Sequence, residues 1–588
     1  MSDAGAVVLA VAVWLGALVA LPIPRWAAVV VVALAFVLRR PSVLVIGGAL
    51  LAGGLSTTSW AGLDPPPSPE TVRSAAVLLS DPVEAGHATR VDVRIGDRRV
   101  EAWARGAPAD ALHDRAAGEV VELTGRLRAP PASAVDRLAV RHIAARIDLH
   151  EVGASNGGSA ATRAANEVRR VLQRGMSSLP SEREALLRGF LIGDDRDVPS
   201  PIEADFRAAG LTHLLAVSGS NLAYVMAAFA PLLHRLQLRG RLLASLSVIA
   251  FFAVVTRAEP SVLRASTMAA IACWAAFSGR PVSRVRVLAL AVAVLVLIDP
   301  MLVRSVGFQL SVGACLGLAL LAAPLSTRVP GPRWLAEPIA VTLAAQAGVA
   351  PVLLTTFGGL PVVTVVANLL AVPVAGPLTA WGLVAGVLAG VVGGPLATLL
   401  HVPSGLMVGW IAAVARVTAS LPLGSIDLRV LVVVAAVVFA LHRFRRVAAA
   451  TGVATMLVVA HPSAAAMTDV EVARGAHLWR GGATVLVLEG DTDSGRVLEA
   501  LRRAGIGRID LVVARRGTRT VAGVLLDLRA RVRIGAVVAP VGHQVRGATA
   551  VARAVSFEVG RLSVHLEPHG AALDVDIGET AGRGGGSR

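Results

Sequence analysis

The chain has 588 residues, which is too long for a single hydrophobic core, so several domains are expected. Hydrophobic residues make up 55% of it and charged residues 16%, a balance that is typical of membrane proteins and excludes an ordinary soluble one. The formal charge of +16 comes from arginine alone, and the excess is largest over residues 189–464, with 18 arginines against 9 carboxylates. A basic excess concentrated in the apolar part of a chain does not indicate a soluble nucleic-acid-binding surface.

Residues 1–60 contain three apolar runs that predict N-terminal membrane spans. They lie at about 6–21, 26–38 and 42–55. Arg39 and Arg40 separate the last two, and the positive-inside rule places them in the cytoplasm. The N-terminus is therefore expected inside the cell and residue 60 outside. No positively charged lead precedes the first run, so a cleaved signal peptide is not expected.

Residues 61–155 are polar, and short alternating runs within them predict five β-strands. These runs lie at 75–79, 88–95, 99–104, 119–127 and 141–152. Five short strands are typical of a small barrel of the OB type. An amphipathic helical linker follows over residues 156–188, with a helix predicted at 161–176 and Val168, Val171 and Leu172 on one of its sides.

A single-strand-binding surface is one hypothesis for this domain, because OB folds bind strands through basic grooves and aromatic side chains. The candidate residues are Arg90, Arg94, Arg98, Arg99 and Trp103. The alternative is a solvated strand face, because Asp92, Asp97 and Glu101 are interleaved with them. Residues 61–188 carry 18 arginines against 17 carboxylates, which favours that alternative, since binding a phosphate backbone needs net positive potential.

Residues 189–464 contain closely spaced apolar runs. Candidate spans lie near 211–234, 242–257, 261–278, 286–298, 305–323, 335–355, 361–388, 391–418, 428–442 and 447–461. With the N-terminal runs this predicts 10 to 13 membrane helices in a polytopic α-helical protein. The basic cluster at 443–446, placed in the cytoplasm, puts residues 465–588 outside, on the same side as the predicted barrel.

Polar residues interrupt the first of these runs. Asp194 precedes it, His213 lies within it, and Ser218, Gly219, Ser220 and Asn221 break it. In a membrane such a break must be buried in protein or line a wet cavity, and it is a functional candidate by default. A short surface loop that joins two ordinary helices is the alternative, and the spacing does not decide between them.

Further polar residues lie inside the later runs. They are Ser261, Arg264, Gln309, Ser311 and Asn368. Arg264 would be costly in lipid unless it is paired or hydrated, although snorkelling to the headgroups is an alternative. Gln309 and Ser311 are equally suited to hydrogen-bonding neighbouring helices. Asn368 lies in the middle of an apolar stretch and marks a second candidate broken helix.

These motifs together resemble the signature of the ComEC family of bacterial DNA-internalisation (competence) channel proteins. The matching residues are Gly193-Asp194, Phe206, Gly210-Leu211-Thr212-His213, Ser218-Gly219, Asn221, Pro260-Ser261, Arg264-Ala265, Met268, Asp299-Pro300, Gly307-Phe308-Gln309-Leu310-Ser311, Phe357-Gly358-Gly359, Asn368-Leu369-Leu370 and Pro373. The resemblance covers most of the chain. It implies a transmembrane channel domain at 189–464 and an OB-like domain at 61–155.

Residues 465–580 alternate strands with a helix, which predicts an α/β layer. Strands are expected at 484–488, 508–513, 536–540 and 562–566, and a helix at 494–504. The resemblance implies a metallo-β-lactamase-like domain here, whose His-x-His-x-Asp-His metal motif is replaced by Arg515-Arg516-Gly517-Thr518-Arg519-Thr520-Val521. Arginine does not ligate zinc, so we expect a degenerate domain with no metal, no cofactor, no catalytic residues and no enzyme activity. Residues 581–588 are glycine-rich and are predicted to be disordered.

The resemblance implies a plasma-membrane (inner-membrane) channel for the uptake of single-stranded DNA. The sequence contains no Gly-x-x-x-x-Gly-Lys-Ser/Thr motif, so a partner must supply the driving force. The family implies a cytoplasmic helicase and an extracytoplasmic DNA receptor as partners, besides membrane lipid. A small-molecule or ion transporter is the alternative, although the inverted repeat expected of many transporters is not evident. An intramembrane hydrolase that uses Ser218 and His213 is disfavoured, because residues five apart on a helix do not face each other.

Overall fold

The computed structural model describes most of the chain. It covers residues 2–579 except 39, 67, 86–87, 218, 281, 358, 422–424, 427–469, 491 and 505. The predicted spans at 428–442 and 447–461, the basic cluster at 443–446, Ser218 and the tail at 581–588 lie outside the described residues.

The chain divides into two compact units. The larger unit consists of Met1–Asp197, His213–Thr356 and Leu369–Ile411, and the smaller unit of Val198–Thr212, Phe357–Asn368 and Ala412–Arg588.

The N-terminal runs form three helices: α1 (Asp3–Val19), α2 (Arg25–Leu38) and α3 (Pro41–Ala61). Ser2 begins α1 by accepting a hydrogen bond from the Gly5 N–H at 3.1 Å, which satisfies one of the free donors of the first turn. A Cβ at Gly16 would lie 2.1 Å from the carbonyl oxygen of Ala49, so the backbones of α1 and α3 nearly touch. Small residues permit this approach between helices in a membrane.

The predicted β-rich domain is present. Its strands are β1 (Glu70–Leu78), β2 (Val83–Ala85), β3 (Ala88–Ile95), β4 (Arg98–Ala104), β5 (Val120–Arg128) and β6 (Ile143–Asn156). All five predicted strands occur, while β2 and the short helices α4 (Ala107–His113) and α5 (Val135–Ala139) were not predicted. The strands form one sheet in the order β1-β5-β6-β4-β3-β2, with an additional β1–β3 pairing and a parallel β4–β6 pair.

Twelve α-helices follow in the described residues before the C-terminal domain. The first ten are α6 (Ala160–Met176), α7 (Ser181–Ile192), α8 (Ser200–Ala209), α9 (Thr212–Leu215), α10 (Gly219–Leu233), α11 (Leu238–Val255), α12 (Pro260–Phe277), α13 (Arg284–Ile298), α14 (Val306–Ser326) and α15 (Arg333–Thr356). Two longer ones complete the set: α16 (Thr364–Val392) and α17 (Gly394–Ala419). The two-residue strands β7 (Leu360–Pro361) and β8 (Ser425–Ile426) pair with each other within the smaller unit.

Seven segments among the described residues are long and apolar enough to cross a membrane. They are Pro41–Ala61, Thr212–Leu233, Leu238–Val255, Val306–Ser326, Arg333–Thr356, Thr364–Val392 and Gly394–Ala419. The chain is therefore a polytopic membrane protein. The predicted total of 10 to 13 is not reached in the part that the structure describes, because α1, α2 and α13 have only 17, 14 and 15 residues.

The two predicted helix breaks have different outcomes. The chain leaves the helical conformation between Leu215 and Gly219, so the first break comes just before most of the Ser-Gly-Ser-Asn stretch, and Asn221 lies in the first turn of α10. The predicted break at Asn368 is wrong, because α16 runs without interruption from Thr364 to Val392. Asn368 lies near its beginning, where an amide is tolerated without unwinding the helix.

The amphipathic α6 packs directly against a membrane helix. A Cβ at Gly390 of α16 would lie 2.0 Å from the carbonyl oxygen of Val171, and one at Gly175 would lie 2.3 Å from the carbonyl oxygen of Gly386. The predicted linker at 156–188 is thus part of the helical core. Its buried side also differs from the predicted one, since Asn166 and Arg169 are buried.

The C-terminal domain is an α/β sandwich. Its elements are β9 (Val470–Ala473), β10 (Ala476–Arg480), β11 (Thr484–Leu488), α18 (Ser494–Arg503), β12 (Arg508–Ala514), α19 (Arg519–Arg529), β13 (Arg533–Pro540), β14 (Thr549–Val551), β15 (Val555–Val559), β16 (Leu562–His569) and β17 (Ala572–Glu579). The main sheet has the order β14-β13-β12-β11-β10-β9, and β11 to β14 are parallel as strand–helix–strand units require. Helices α18 and α19 pack on one face, and β15 to β17 cover the other.

We predict that Gly390→Ala destabilises the chain by about 1–3 kcal/mol, because its methyl group would force α6 away from α16. Gly240→Ala in α11 is the matched control. Its nearest neighbour is a side-chain carbon at 3.7 Å, and alanine is favoured over glycine in a helix by about 1 kcal/mol. Thermal unfolding of the detergent-solubilised chain measures both variants. An unchanged unfolding temperature for Gly390→Ala contradicts the close packing.

Candidate functional site

A buried group of charges ties four segments of the larger unit together. Its members, here called the interlock, are Asp81, Arg169, Asp194, Arg196 and Arg257. They come from the β1–β2 loop, α6, the segment after α7, and the loop between α11 and α12.

Arg169 lies at the centre of the interlock with only 4% of its surface exposed. Its guanidinium donates to the carbonyl oxygens of Ile192 and Val255 at 2.9 and 3.0 Å, and lies 3.2 Å from Asp81 and 3.4 Å from Asp194. Arginine suits this position because its fixed fork of five donors can serve several acceptors at once.

Both carboxylates of the interlock are held by arginines. Asp81 accepts from Arg257 at 2.7 and 3.0 Å, and Asp194 accepts from Arg196 at 2.7 and 2.9 Å and from Gln173 at 3.1 Å. Burial raises the pKa of Asp194, but the hydrogen bonds and charge of Arg196, with Arg169 and Arg188, outweigh it and lower the pKa to about 2. Asp194 is therefore ionised at neutral pH although it is only 4% exposed.

The Gly193-Asp194 motif has a structural basis here. Gly193 ends α7 in the left-handed conformation, with φ of +68°, and a Cβ there would lie 2.8 Å from Val217 and 3.1 Å from Glu259. Burial, with the negative charge of Asp195, raises the pKa of Glu259 to about 7 against the opposing charge of Arg169. A glycine thus lets a second carboxyl group approach the interlock.

Four of the predicted membrane candidates come together where α10, α12 and α14 meet. Arg264 of α12 donates to the Ser311 carbonyl oxygen at 2.6 Å and contacts the Cys315 thiol, and a Cβ at Gly219 would lie 3.7 Å from its guanidinium. Ser261 donates to the carbonyl oxygen of Val217, in the gap between α9 and α10, at 2.9 Å. Arg264 is 8% exposed and lies against neighbouring helices rather than extended to the headgroups.

This meeting point is closed in the conformation described. Val217 and Val262 are fully buried, and Leu222, Ile249 and Phe252 complete a hydrophobic cluster around it. Apolar side chains therefore pack around the described residues on either side of this break. The Arg264 Nε remains buried without a hydrogen-bond partner, so one charged donor lies unsatisfied beside the cluster.

The remaining candidates lie elsewhere. Asn221 donates to the carbonyl oxygen of Phe190 at 2.7 Å and fixes α10 to α7. Gln309 donates to Val303 at 2.8 Å within its own region of the chain, and His213 is exposed on α9. The Asn368 Oδ1 is buried and has no hydrogen-bond partner, and Asn368 belongs to the smaller unit.

Two further motifs have packing roles. Asp299 caps the turn after α13 by accepting from the Met301 N–H at 3.0 Å, and it also contacts His142 of the β-rich domain at 2.8 Å. Phe308 is fully buried and stacks on Trp14 of α1, with 5.7 Å between ring centroids. The Asp-Pro and Gly-Phe-Gln-Leu-Ser motifs therefore join α13 and α14 to other parts of the larger unit.

Four of the five predicted single-strand-binding residues, all except Arg98, share a face that is partly neutralised. Pairs Arg90–Trp103, Asp92–Glu101 and Arg94–Arg99 lie opposite each other across β3 and β4. Glu101 is 1% exposed, accepts from the Trp103 indole at 2.8 Å, and lies 3.9 Å from Arg90. Arg98 pairs with Ile95 at the end of the strands.

The sequence patterns did not single out several other basic residues of this face. They are Arg128, Arg137, Arg141 and Arg146. Arg146 stacks on the Trp103 ring at 4.2 Å, and Arg141 forms ion pairs with Asp92 and Glu101. Five arginines of this face thus form ion pairs with Asp92, Glu101 or Asp148, and the exposed Arg94 and Arg99 bring the number of arginines to seven. Their only sequence signal was the alternation of β6, which places Arg146 and Asp148 on its outer side.

The segment at residues 515–521, which the resemblance aligns with a metal motif, connects β12 to α19. Thr518 begins α19 by accepting from the Val521 N–H at 3.4 Å. Arg515 pairs with Glu489 at 2.8 Å and with Asp574 at 3.4 Å. Among the residues that the structure describes, no three His, Cys, Asp or Glu side chains are grouped so as to hold a metal ion.

The arrangement defines a class of protein: a polytopic membrane domain with a β-rich domain near its N-terminus and an α/β domain at its C-terminus. Within this class, the sequence model of the Competence protein family matches residues 190–456. This match agrees with the resemblance predicted from the motifs over residues 190–456, the segment that carries most of them.

Two curated relatives support the match. The chain is 30% identical over 213 residues to "Uncharacterized protein YcaI" of Escherichia coli (strain K12), and 30% identical over 215 residues to "ComE operon protein 3" of Bacillus subtilis (strain 168). These regions cover 33% and 36% of this chain. The chain spans 28% and 27% of the length of the two relatives. No solved structure matches it.

We predict that Asp194→Asn destabilises the chain by about 3–5 kcal/mol at pH 7, because it leaves Arg169 and Arg196 buried beside a neutral group. In the wild type, the lowered pKa means that the ionised carboxylate stabilises the fold above about pH 4. Roughly 2 kcal/mol of that stabilisation is lost as the pH falls through 2. The variant lacks this acid dependence. Unfolding temperatures between pH 2 and 7 measure both effects.

Asp197→Asn is the matched control in the same segment. The Asp197 side chain is 54% exposed and pairs with Arg188 at 2.6 Å, and exposed pairs contribute at most about 1 kcal/mol. Equal losses of stability in Asp194→Asn and Asp197→Asn would contradict a larger contribution of the buried interlock than of an exposed ion pair.

Proposed function

We propose that the chain is a membrane conduit for the inward passage of single-stranded DNA during natural transformation. The observation that carries the proposal is the match of residues 190–456 to the Competence protein family. The name of the Bacillus subtilis relative, "ComE operon protein 3", agrees with it. A polyanion cannot cross lipid without a hydrated path lined by positive or dipolar groups, so the intramembrane polar residues are its first candidates.

The meeting point of α10, α12 and α14 is the proposed gate. It holds a buried guanidinium with one unsatisfied donor, a broken helix, and a carbonyl of that break bonded to Ser261. Separation of α10 from α12 and α14 would expose Arg264 to the opened space. The apolar cluster around Val217 seals the gate in the resting conformation.

The β-rich domain at 61–155 is proposed to be an OB-type barrel that contacts the incoming strand. The pairings support this, because β1-β3-β4-β6-β5 follow one another and β5 pairs back onto β1. The helix α4 lies between β4 and β5. The arginine-rich outer face supports strand contact, since it carries seven arginines against three carboxylates.

The other parts of the chain receive supporting roles in this proposal. Residues 1–60 would provide N-terminal spans, 189–464 the channel domain, and 465–580 a degenerate metallo-β-lactamase-like domain without catalysis. By the positive-inside rule the N-terminus would lie in the cytoplasm and both β-containing domains outside the plasma membrane. An external DNA receptor and a cytoplasmic helicase are the proposed partners, because the sequence contains no nucleotide-binding motif.

We predict that Arg264→Met lowers the uptake of labelled DNA at least tenfold in a transformable strain that depends on this chain. Methionine keeps most of the side-chain length but removes the charge and the bond to Ser311. Arg280→Met, at an exposed arginine after α12, is the matched control and should keep normal uptake. Immunoblots of membranes verify equal amounts of the variants.

Two outcomes would contradict this. Normal uptake in a strain lacking the chain removes the conduit function altogether. Normal uptake with Arg264→Met would show that Arg264 does not line the DNA path, but it would leave the conduit function in place.

We predict that Arg94→Gln with Arg99→Gln weakens the binding of a labelled single-stranded oligonucleotide to the full chain in nanodiscs. Both side chains are exposed, and each phosphate that is no longer neutralised should reduce the slope of log K against log salt by about 0.7, so about 1.4 for two. Arg73→Gln on β1 is the control, since this arginine pairs with Glu122 at 3.8 Å on other strands. An unchanged slope would exclude this face as the binding surface.

A further inference from the structure

Helix α8 contains a carboxylate that is buried against the C-terminal domain. Asp205 is 2% exposed. Arg502 of α18 bonds to its Oδ1 and also donates to the carbonyl oxygen of Ala204 at 3.0 Å. Arg531, after α19, donates to its Oδ2 through Nε and Nη2 at 3.3 and 3.2 Å. Both oxygens of one carboxylate are therefore occupied by two guanidiniums of the same domain.

The surroundings of Asp205 extend this contact along α8. A Cβ at Gly495 would lie 2.7 Å from the carbonyl oxygen of Ser200, so the first turns of α8 and α18 almost touch. At the rim, Arg207 donates to Glu499 at 2.7 Å. Its side chain is 40% exposed, so this outer pair contributes less than the buried one.

The other end of α8 contacts the beginning of a membrane helix. Gly210 ends α8 with φ of +72°, and a Cβ there would lie 2.2 Å from the Thr364 hydroxyl in the first turn of α16. The Leu211 N–H bonds back to the Phe206 carbonyl oxygen at 2.8 Å, and the chain then continues into α9 and α10. Any side chain at position 210 would strain the backbone and also displace Thr364.

We propose that the C-terminal α/β domain is a brace for α8 and that Asp205 is the anchor of this contact. The function of the domain is then to hold α8 against the start of α16. This function needs neither a metal ion nor a catalysed reaction. A buried carboxylate is costly unless it is fully paired, so Asp205 accepts this domain only in the one position where Arg502 and Arg531 reach both of its oxygens. The assignment does not depend on what the membrane domain transports.

The test uses the full chain in membranes with Cys273 and Cys315 replaced by serine, and with cysteines at 207 and 499 as reporters. The outer pair of Arg207 and Glu499 places these reporters within reach of a short bifunctional thiol reagent. Asp205→Asn should slow intrachain crosslinking at least tenfold. The double variant Arg502→Gln with Arg531→Gln, which changes the other side of the contact, should slow it similarly.

Two further variants separate the anchor from a general loss of charge. Glu203→Gln removes an exposed carboxylate on the same helix and should leave crosslinking unchanged. Replacing Asp205, Arg502 and Arg531 together by leucine should restore crosslinking well above the level of Asp205→Leu alone, because a buried ion group can be replaced by apolar residues whereas an unpaired buried arginine cannot.

Wild-type crosslinking in Asp205→Asn, or no recovery in the triple leucine variant, would overturn the proposal. Uptake of labelled DNA is measured in parallel. Loss of crosslinking in the variants together with a wild-type chain that passes no DNA would retain the brace and reject the proposed function.

Discussion

The ion pairs around Arg169 are the constraint on which the larger unit depends. Its guanidinium bonds to two carbonyls at helix ends and to Asp81 and Asp194, so a single side chain joins α6, α7, α11 and the β-rich domain. Removing any one of these charged side chains would leave another charged group buried without its ion-pair partner. The β-rich domain is therefore held to the helices by a group of charges that favours one arrangement of the two.

Two buried carboxylates lie near the beginning of the segment that carries the family motifs. Asp194 is paired within the larger unit, and Asp205 is paired within the smaller one. Gly193, just before Asp194, and Gly210, after Asp205, end helices in a left-handed conformation that lets neighbours approach closely. The motif glycines and aspartates thus serve positioning, while Arg264 of α12 has a buried Nε without a hydrogen-bond partner.

Local patterns in the sequence predicted most elements, because alternation and apolar length act over a few residues. Five strands of the β-rich domain, strands β11, β12, β13 and β16 of the C-terminal domain, and helices α6, α10 and α14 follow from them. Strands β2, β9, β10, β14, β15 and β17 were not predicted. The partners of Asp194 did not follow, since Asp81, Arg169 and Arg257 are far apart in the chain and isolated charges give no pairing signal. The break predicted at Asn368 failed for a related reason: one amide in an apolar run does not outweigh the hydrogen bonds of a continuous α16.

The glycine contact between α6 and α16 bears on how the protein is assembled during synthesis. Gly175 leaves the ribosome about two hundred residues before Gly386 and Gly390, so α6 must wait, with its buried side uncovered, until the later helices are inserted. That side carries Arg169, which favours water over lipid during the delay. Shortening or rearranging the chain between them would alter this waiting time, and the order of translation is thus part of what the fold requires.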